Sequence, residues 1–409
     1  MSHKPSDPRY SDCGPQTRSI HAGEAPDPAT GASSPNIAMS STYLVDEPVS
    51  FSATNLDENT PFIYTRWGNP TTRQLEQKLA ALESADDCVA FASGMGASAA
   101  VLLGLLSQGD HLIISSTNYP GTAELARDTL PRFGVQTTPV DATDADAVRQ
   151  ALRPNTRMIW LETPSNPLLR IADLRAIAAI AGEAGALLAV DSTFATPIAQ
   201  RPLELGADLV VHSLTKYIGG HGDALGGAVA GSAALIGQLR AEGLIHYGGV
   251  ISPFNAWLIL RGMATLPLRM RAHAENAAQL ADWLAEQPQV ERVLYPGRAD
   301  HPQHAVARAQ MDSYSGMISF RVAGGRAGAQ ALAARMMAEL QVIHYAVSLG
   351  HQRSLIYLME TDDLIGSSYR LQGAALDSYR ELAGDGLFRF SVGLEDAADL
   401  VRDLRRVLG

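Results

Sequence analysis

The sequence predicts an α/β fold: a large domain on a mostly parallel sheet, followed by a smaller α+β domain. Three observations predict it. Short apolar runs that read as buried strands alternate with helical stretches from about residue 88 to 216. Polar or glycine-bearing segments follow several of those runs, at the strand ends where ligands sit on such sheets. Beyond about residue 252 the alternation gives way to two long helical periods and then a few short strands. At 409 residues the chain exceeds one ordinary core. The reading divides it into an N-terminal arm (1–60), a ligand-binding domain (61–255) and a C-terminal domain (256–409).

The arm is rich in Pro, Ser, Thr and Asn, with little periodicity, and is either disordered or wrapped over a neighbouring subunit. Tyr64-Thr65-Arg66-Trp67-Gly68-Asn69-Pro70-Thr71 leads into an amphipathic helix over 72–82. Its phenol, guanidinium and amide suit an anion; the plainer reading is a turn ending at Asn-Pro with a Thr cap. A strand over 88–91 runs into Ala92-Ser93-Gly94-Met95-Gly96-Ala97 and a helix to about residue 106. Small residues at such a junction let backbone N–H groups face a phosphate, and no Walker lysine follows to suggest a nucleoside triphosphate.

Strands over 112–115 and 157–161 come next. The first ends in Tyr119-Pro120-Gly121-Thr122 and a helix over 123–130, the second in Glu162-Thr163-Pro164-Ser165-Asn166-Pro167. A helix over about 173–185 precedes a strand ending at Asp191, and the run 209–211 ends the series. In the C-terminal part, helical periodicity covers 257–270, 274–286 and 327–340, with strands at 290–294, 317–322 and 387–393 and a last helix from about residue 395. Arg389 interrupts the last apolar strand, where a buried cation needs an anion. A substrate α-carboxylate would meet it in bidentate fashion; an internal salt bridge is the plainer alternative.

The chain is organised around Val211-His212-Ser213-Leu214-Thr215-Lys216-Tyr217, followed by glycines at 219, 220, 222, 226 and 227. Lys216 is one of only a few lysines in a chain whose cations are mostly arginine. A lysine at a strand end, flanked by hydroxyls and a glycine bed, suits an amine that must form a Schiff base beside a phosphate. Asp191 lies 25 residues upstream, at the end of another buried strand. Pyridoxal phosphate needs this pair: a lysine for its aldehyde and an acid for its pyridinium nitrogen. Alone, Lys216 would read as a surface lysine and Asp191 as a turn cap. Together with Tyr119 and Asn166, also at strand ends, they point to one site.

Composition narrows the class. The net charge of −11, with acids dispersed, argues against nucleic acid as a partner. Two cysteines build neither a disulfide framework nor a C-x-x-C zinc site. The polar start has no signal-peptide core, and the alanine-rich stretch 171–190 carries charges that exclude a membrane span. The cytoplasm is the expected compartment.

With these residues assembled, the sequence resembles the Cys/Met-metabolism pyridoxal-phosphate enzymes of fold type I, from about residue 42 to the end. This family holds cystathionine γ-synthases and lyases, methionine γ-lyases and O-acylhomoserine sulfhydrylases. The motifs are Tyr64-Thr65-Arg66-x-x-Asn69-Pro70-Thr71, Ala92-Ser93-Gly94-Met95, Val190-Asp191-x-Thr193-Phe194, Ser213-x-Thr215-Lys216-Tyr217 and Arg389-x-Ser391-Val392-Gly393. The resemblance implies that Lys216 holds pyridoxal 5'-phosphate covalently, Asp191 pairs with its ring nitrogen and Tyr119 stacks on the ring. It also implies that Gly94, Met95, Ser213 and Thr215 bind the phosphate, with Tyr64 and Arg66 reaching the phosphate of a neighbouring subunit. Asn166, Ser348 and Arg389 would orient the ring and the substrate carboxylate, and Tyr64 would also touch substrate. A homotetramer of dimers with shared active sites is expected.

The sequence departs from the family in the neighbourhood of the substrate. Ser192 stands in the family's Val-Asp-Asn-Thr-Phe, and Arg353 stands where many members carry Glu in Ser-Leu-Gly-x-x-Glu-Ser-Leu. Leu358-Met359-Glu360-Thr361-Asp362-Asp363-Leu364 replaces a His-Pro-Ala-x-Met-Thr-His segment, and Gly121 takes the place of the cysteine of methionine γ-lyases. That speaks against ordinary methionine γ-lyase activity. The expected reaction is γ-elimination from an amino acid with a heteroatom leaving group at Cγ. If Glu360, Asp362 and Asp363 face the entrance, canavanine is the fitting substrate; an acidic solvated loop is the plainer reading. Cystathionine- or methionine-type carbon–sulfur cleavage, O-acylhomoserine sulfhydrylation or γ-synthesis is the alternative. A pyridoxal-phosphate-binding protein without turnover is the third reading, opposed by Lys216, Tyr119, Asp191 and Arg389 all being present.

Overall fold

The computed structural model describes residues 8–49, 52–53 and 60–409; the other stretches of the 1–60 arm lie outside the described residues. The chain packs as two compact units, one of residues 1–108 and 187–267, the other of 109–186 and 268–409. In chain order the strands of the described residues begin with β1 (Asp87–Phe91), β2 (His111–Ser115), β3 (Gln136–Val140) and β4 (Thr156–Glu162). They continue with β5 (Leu187–Asp191), β6 (Leu209–His212), β7 (Gly227–Gly231) and β8 (Val290–Leu294). The last are β9 (Met317–Val322), β10 (His344–Tyr345), β11 (Leu355–Glu360) and β12 (Gly386–Ser391).

The first unit holds four strands in the order β1-β7-β6-β5. β5 and β6 run parallel, with Val190 opposite Val210. β7 is reversed and sits between β6 and β1, pairing antiparallel with both. Its sequence, Gly-Ala-Val-Ala-Gly, reads as the end of the glycine bed; only its pairing with two distant strands reveals it. Side chains here are small because backbone comes close: a Cβ on Gly227 would run into the carbonyl of Ser93.

The helix Pro70–Glu83 starts as its first residues dictate. Asn69 accepts hydrogen bonds from the N–H groups of Thr71 and Thr72, with Pro70 at the first helical position. The cap is therefore Asn69 rather than the threonine of the plainer turn reading, because an amide oxygen reaches both N–H groups. The same side chain donates to the carbonyl of Ala38 and the Tyr43 hydroxyl, both at 2.8 Å, so this part of the arm is tied to the helix start. The arm also forms a helix, Pro15–His21, which periodicity did not signal in so short a segment.

The second unit holds β2 between β3 and β4, all parallel, and a five-stranded sheet in the order β10-β11-β12-β9-β8. β11, β12, β9 and β8 are antiparallel neighbours. Phe320, Phe388, Phe390 and Ile356 of that sheet are buried with Leu332 and Met336 of the helix Gly325–Glu339 and Leu400 and Leu404 of the helix Ala397–Leu408. The helix expected over 123–130 begins earlier, at Pro120, and continues through a π-helical turn (Leu125–Thr129) into a 3-10 turn (Leu130–Phe133). No helix among the described residues is long and apolar enough to cross a membrane.

Candidate active site

The first unit brings Gly94, Met95, Asp191, Ser213, Thr215 and Lys216 to the carboxyl ends of its strands. The helix Gly94–Leu105 starts directly after β1, capped by the Ser93 side chain on the Gly96 N–H. A Cβ on Gly94 would lie 2.8 Å from Cβ of Ser213, so only a glycine lets this helix start approach the lysine loop. The loop is internally braced. The Ser213 N–H donates to Oγ1 of Thr193 at 2.8 Å, and Oγ1 of Thr215 exchanges hydrogen bonds with the backbone of Gly226 at 3.1 and 3.2 Å. Gly220 accepts the left-handed conformation, φ +71°, that turns the chain after Lys216.

Asp191 takes the N–H of Thr193 at 3.0 Å. Burial raises its pKa; the Thr193 hydrogen bonds and the charge of His212 pull the other way. A carboxylate in that situation is stabilised by a cation at its remaining oxygen, as a protonated pyridine nitrogen would be. His212 precedes the loop and shares a fully buried hydrogen bond of 2.5 Å with Glu83. The residues present therefore fit pyridoxal phosphate: an amine, a buried acid, two hydroxyls and a helix start approached through a glycine.

Tyr64 and Arg66 lie together on the exposed side of the first unit, with the guanidinium 5.7 Å from the ring centroid and Nη1 donating to the carbonyl of Ile245 at 2.7 Å.

The second unit assembles the other predicted residues. Arg389 on β12 donates from Nη1 to the Asn166 side-chain oxygen and from Nη2 to the carbonyl of Ser348, both at 3.1 Å. Ser348 has φ +78°, an uncommon conformation for a side-chain-bearing residue. Tyr119 is half exposed while Asn166 is buried. The acidic segment is not a loop. Glu360 ends β11 and Asp362 lies in the helical turn that follows, Thr361–Leu364. Glu360 pairs with Arg326 and accepts from Gln330 at 2.7 Å, and Asp362 pairs with Arg380 at 2.6 Å and Arg326 at 3.5 Å.

Sequence reasoning gave no role to Glu162, Tyr369, Thr193, Glu83 or His212. Glu162 carried one available signal: like Asp191, it is an acid at the end of a buried strand. The partners of Tyr369, Glu83 and His212 lie far away in the chain, where no local pattern reports them.

An α/β fold with a lysine and an acid on neighbouring strand ends, beside a glycine-opened helix start, is the arrangement of a pyridoxal-phosphate enzyme. The chain belongs to the Cys/Met metabolism PLP-dependent enzyme family, whose sequence model matches residues 16–409. It is similar to cystathionine gamma-synthase of Mycobacterium tuberculosis, 44% identical over 396 residues that cover 97% of each chain. It is 40% identical over 411 residues to canavanine gamma-lyase of Pseudomonas canavaninivorans, covering 99% of this chain and 98% of that one. The crystal structure of cystathionine gamma-lyase from Lactobacillus plantarum complexed with L-serine has a TM-score of 0.84 to it at 37% identity, covering 96% of this chain and 98% of that chain. The cofactor is thus that of the family, and the activity is of the γ-synthase or γ-lyase type.

Proposed function

We propose that the protein catalyses γ-elimination from an amino acid carrying a sulfur or acyloxy leaving group at Cγ. The observation that carries the reading is the meeting of Gly94 and Ser213, which sets a phosphate-binding helix start beside the Lys216 loop. In this reading Gly94, Met95, Ser213 and Thr215 hold the cofactor phosphate, Asp191 keeps the ring nitrogen protonated and Tyr119 covers the ring. When bound, pyridoxal phosphate supplies an electron sink for the charge left at Cα. Lys216 then removes the Cα proton and a Cβ proton, and the Tyr119 hydroxyl protonates the departing heteroatom. Arg389, fixed by Asn166 and Ser348, holds the substrate carboxylate. Tyr64 and Arg66 complete the phosphate site of a neighbouring subunit, and Tyr64 touches substrate, in a cytoplasmic homotetramer. The functional division is an arm (1–60), a cofactor domain (61–255) and a C-terminal domain (256–409).

The sulfur or acyloxy reading is preferred over a cationic substrate because Glu360 and Asp362 are already engaged with arginines of their own unit. Canavanine is the second reading, favoured by the name of the relative that is 40% identical. Steady-state assays of ammonia, 2-oxo acid and homoserine decide between them. The panel is cystathionine, methionine, canavanine and O-acylhomoserine with or without cysteine. A cystathionine or O-acylhomoserine substrate is expected to have the highest kcat/KM, and the double variant Glu360→Gln/Asp362→Asn is expected to leave the ranking within about threefold. A canavanine preference erased by that double variant would reverse the assignment.

A further inference from the structure

Tyr119 and Asn166 follow different strands, β2 and β4, yet the reaction proposed above needs both in fixed places. One buried carboxylate joins them. Glu162, the last residue of β4 and 6% exposed, accepts the N–H of Tyr119 on Oε2 at 2.5 Å and the N–H of Asn166 on Oε1 at 2.7 Å. From the other side the buried Tyr369 hydroxyl lies 2.8 Å from the carbonyl oxygen of Asn118 and 2.9 Å from that of Asn166, with one proton to share between them. The peptide bond between Asn118 and Tyr119 is therefore held at both its polar atoms, its carbonyl by Tyr369 and its N–H by Glu162.

The asymmetry of Tyr119 makes the arrangement informative. Its main-chain N–H is held while the residue as a whole stays 47% exposed, available to something that is not part of this unit's core. Asn166 is treated likewise: its backbone is anchored and its side-chain oxygen points to Arg389. A carboxylate accepts two N–H groups at once, one per oxygen; an amide in its place would turn an NH2 group toward one of them.

We propose that Glu162 is a positioning residue of the reaction, holding Tyr119 and Asn166 through their backbone N–H groups, the latter against Arg389, with Tyr369 as its counterpart. The proposal rests on the γ-elimination reading and goes beyond it by naming what places two of its residues. A misplacement of about 1 Å at a reacting group costs up to roughly a hundredfold in rate. Glu162→Gln is accordingly expected to lower kcat/KM by about ten- to a hundredfold, with the lysine-linked cofactor retained. Tyr369→Phe, which removes only the hydroxyl, should move it the same way by less.

The test is a double-mutant cycle on the holoenzyme, using whichever panel substrate the native enzyme turns over best. In a Tyr119→Phe background, Glu162→Gln should cost less than a third of the factor it costs in the native background, because the Tyr119 hydroxyl, the proton donor it positions, is already lost. Equal factors in the two backgrounds, or native kcat/KM in Glu162→Gln, would overturn the proposal. If Glu162→Gln does not fold, Glu162→Asp, which keeps the charge but shortens the reach, is carried through the same cycle with the same two outcomes. Absence of turnover by the native enzyme on the whole panel would instead overturn the γ-elimination reading.

Discussion

The two units fix their charged groups in different ways. In the first, charges are set against charges inside the core. Arg73 and Arg240 both pair with Glu76, at 3.0 and 2.9 Å, and Arg73 also reaches Asp87 at 2.7 Å; His212 is buried against Glu83. In the second unit, several charges are set against the backbone. Glu162 takes two N–H groups, Arg389 gives to the Ser348 carbonyl, and Asp403 accepts the N–H groups of Gln341, Val342 and Ile343. A buried ion network is costly to alter one member at a time, since each loss strands an unpaired charge. A carboxylate that grips peptide groups places loops without dictating their side chains. The first unit carries the motifs that identify the cofactor, and the second carries the departures from the family near Ser348 and Glu360. Those locations match the two modes of construction.

The largest effect that separates the units is chemical. Lys216→Ala should lower turnover by on the order of 10^3-fold or more. Borohydride reduction followed by peptide mass spectrometry should find the cofactor joined to Lys216 in the native enzyme and nowhere in the variant. A cofactor adduct on another lysine would remove the first unit's central residue from the chemistry.

Next in size is the buried network. Burial works against the charge of Glu76, and the guanidiniums of Arg240 and Arg73 outweigh it, holding its pKa below the usual carboxylate range. Glu76→Gln leaves two buried guanidiniums facing an amide, and a loss of about 3–5 kcal/mol is expected in chemical denaturation. A change no greater than that of an exposed pair would mean the network is not the first unit's anchor.

The smallest effect belongs to the second unit. His273 and His301 are buried, and burial lowers the pKa of each from 6.5 to about 4. The folded state favours the neutral ring, so the stability this contributes is fully present above 6.5 and is lost as pH falls from there through about 4. By pH 5 each costs on the order of 1–2 kcal/mol. His273 donates from Nδ1 to the carbonyl of Val392 at 2.7 Å, and His273→Asn should flatten its share of the slope in denaturation curves taken between pH 7 and 5. An unchanged slope would assign the pH dependence elsewhere.

Much of the fold was legible in order. Strands such as 290–294 and 317–322 coincide with β8 and β9 because their apolar runs are short and sharply bounded. β7 was not legible, since two glycines around three small residues carry no strand pattern without the partners that flank it. Nor was β11 legible as a strand: its last residue, Glu360, reads with Asp362 and Asp363 as facing the entrance or lying in a solvated loop, and its partner Arg326 is 34 residues away in the chain.

By itself the sequence determined the cofactor chemistry. A lysine, an acid and a glycine-opened helix start must each sit at a strand end within a few contiguous residues, so their motifs survive in one dimension. The tertiary structure alone decided that Glu360 and Asp362 are engaged with arginines. It alone decided that Glu162 joins the backbones of Tyr119 and Asn166. These are matters of which group meets which across tens to hundreds of residues, and hydrogen bonds and ion pairs form between groups brought together by packing, whatever their separation along the chain.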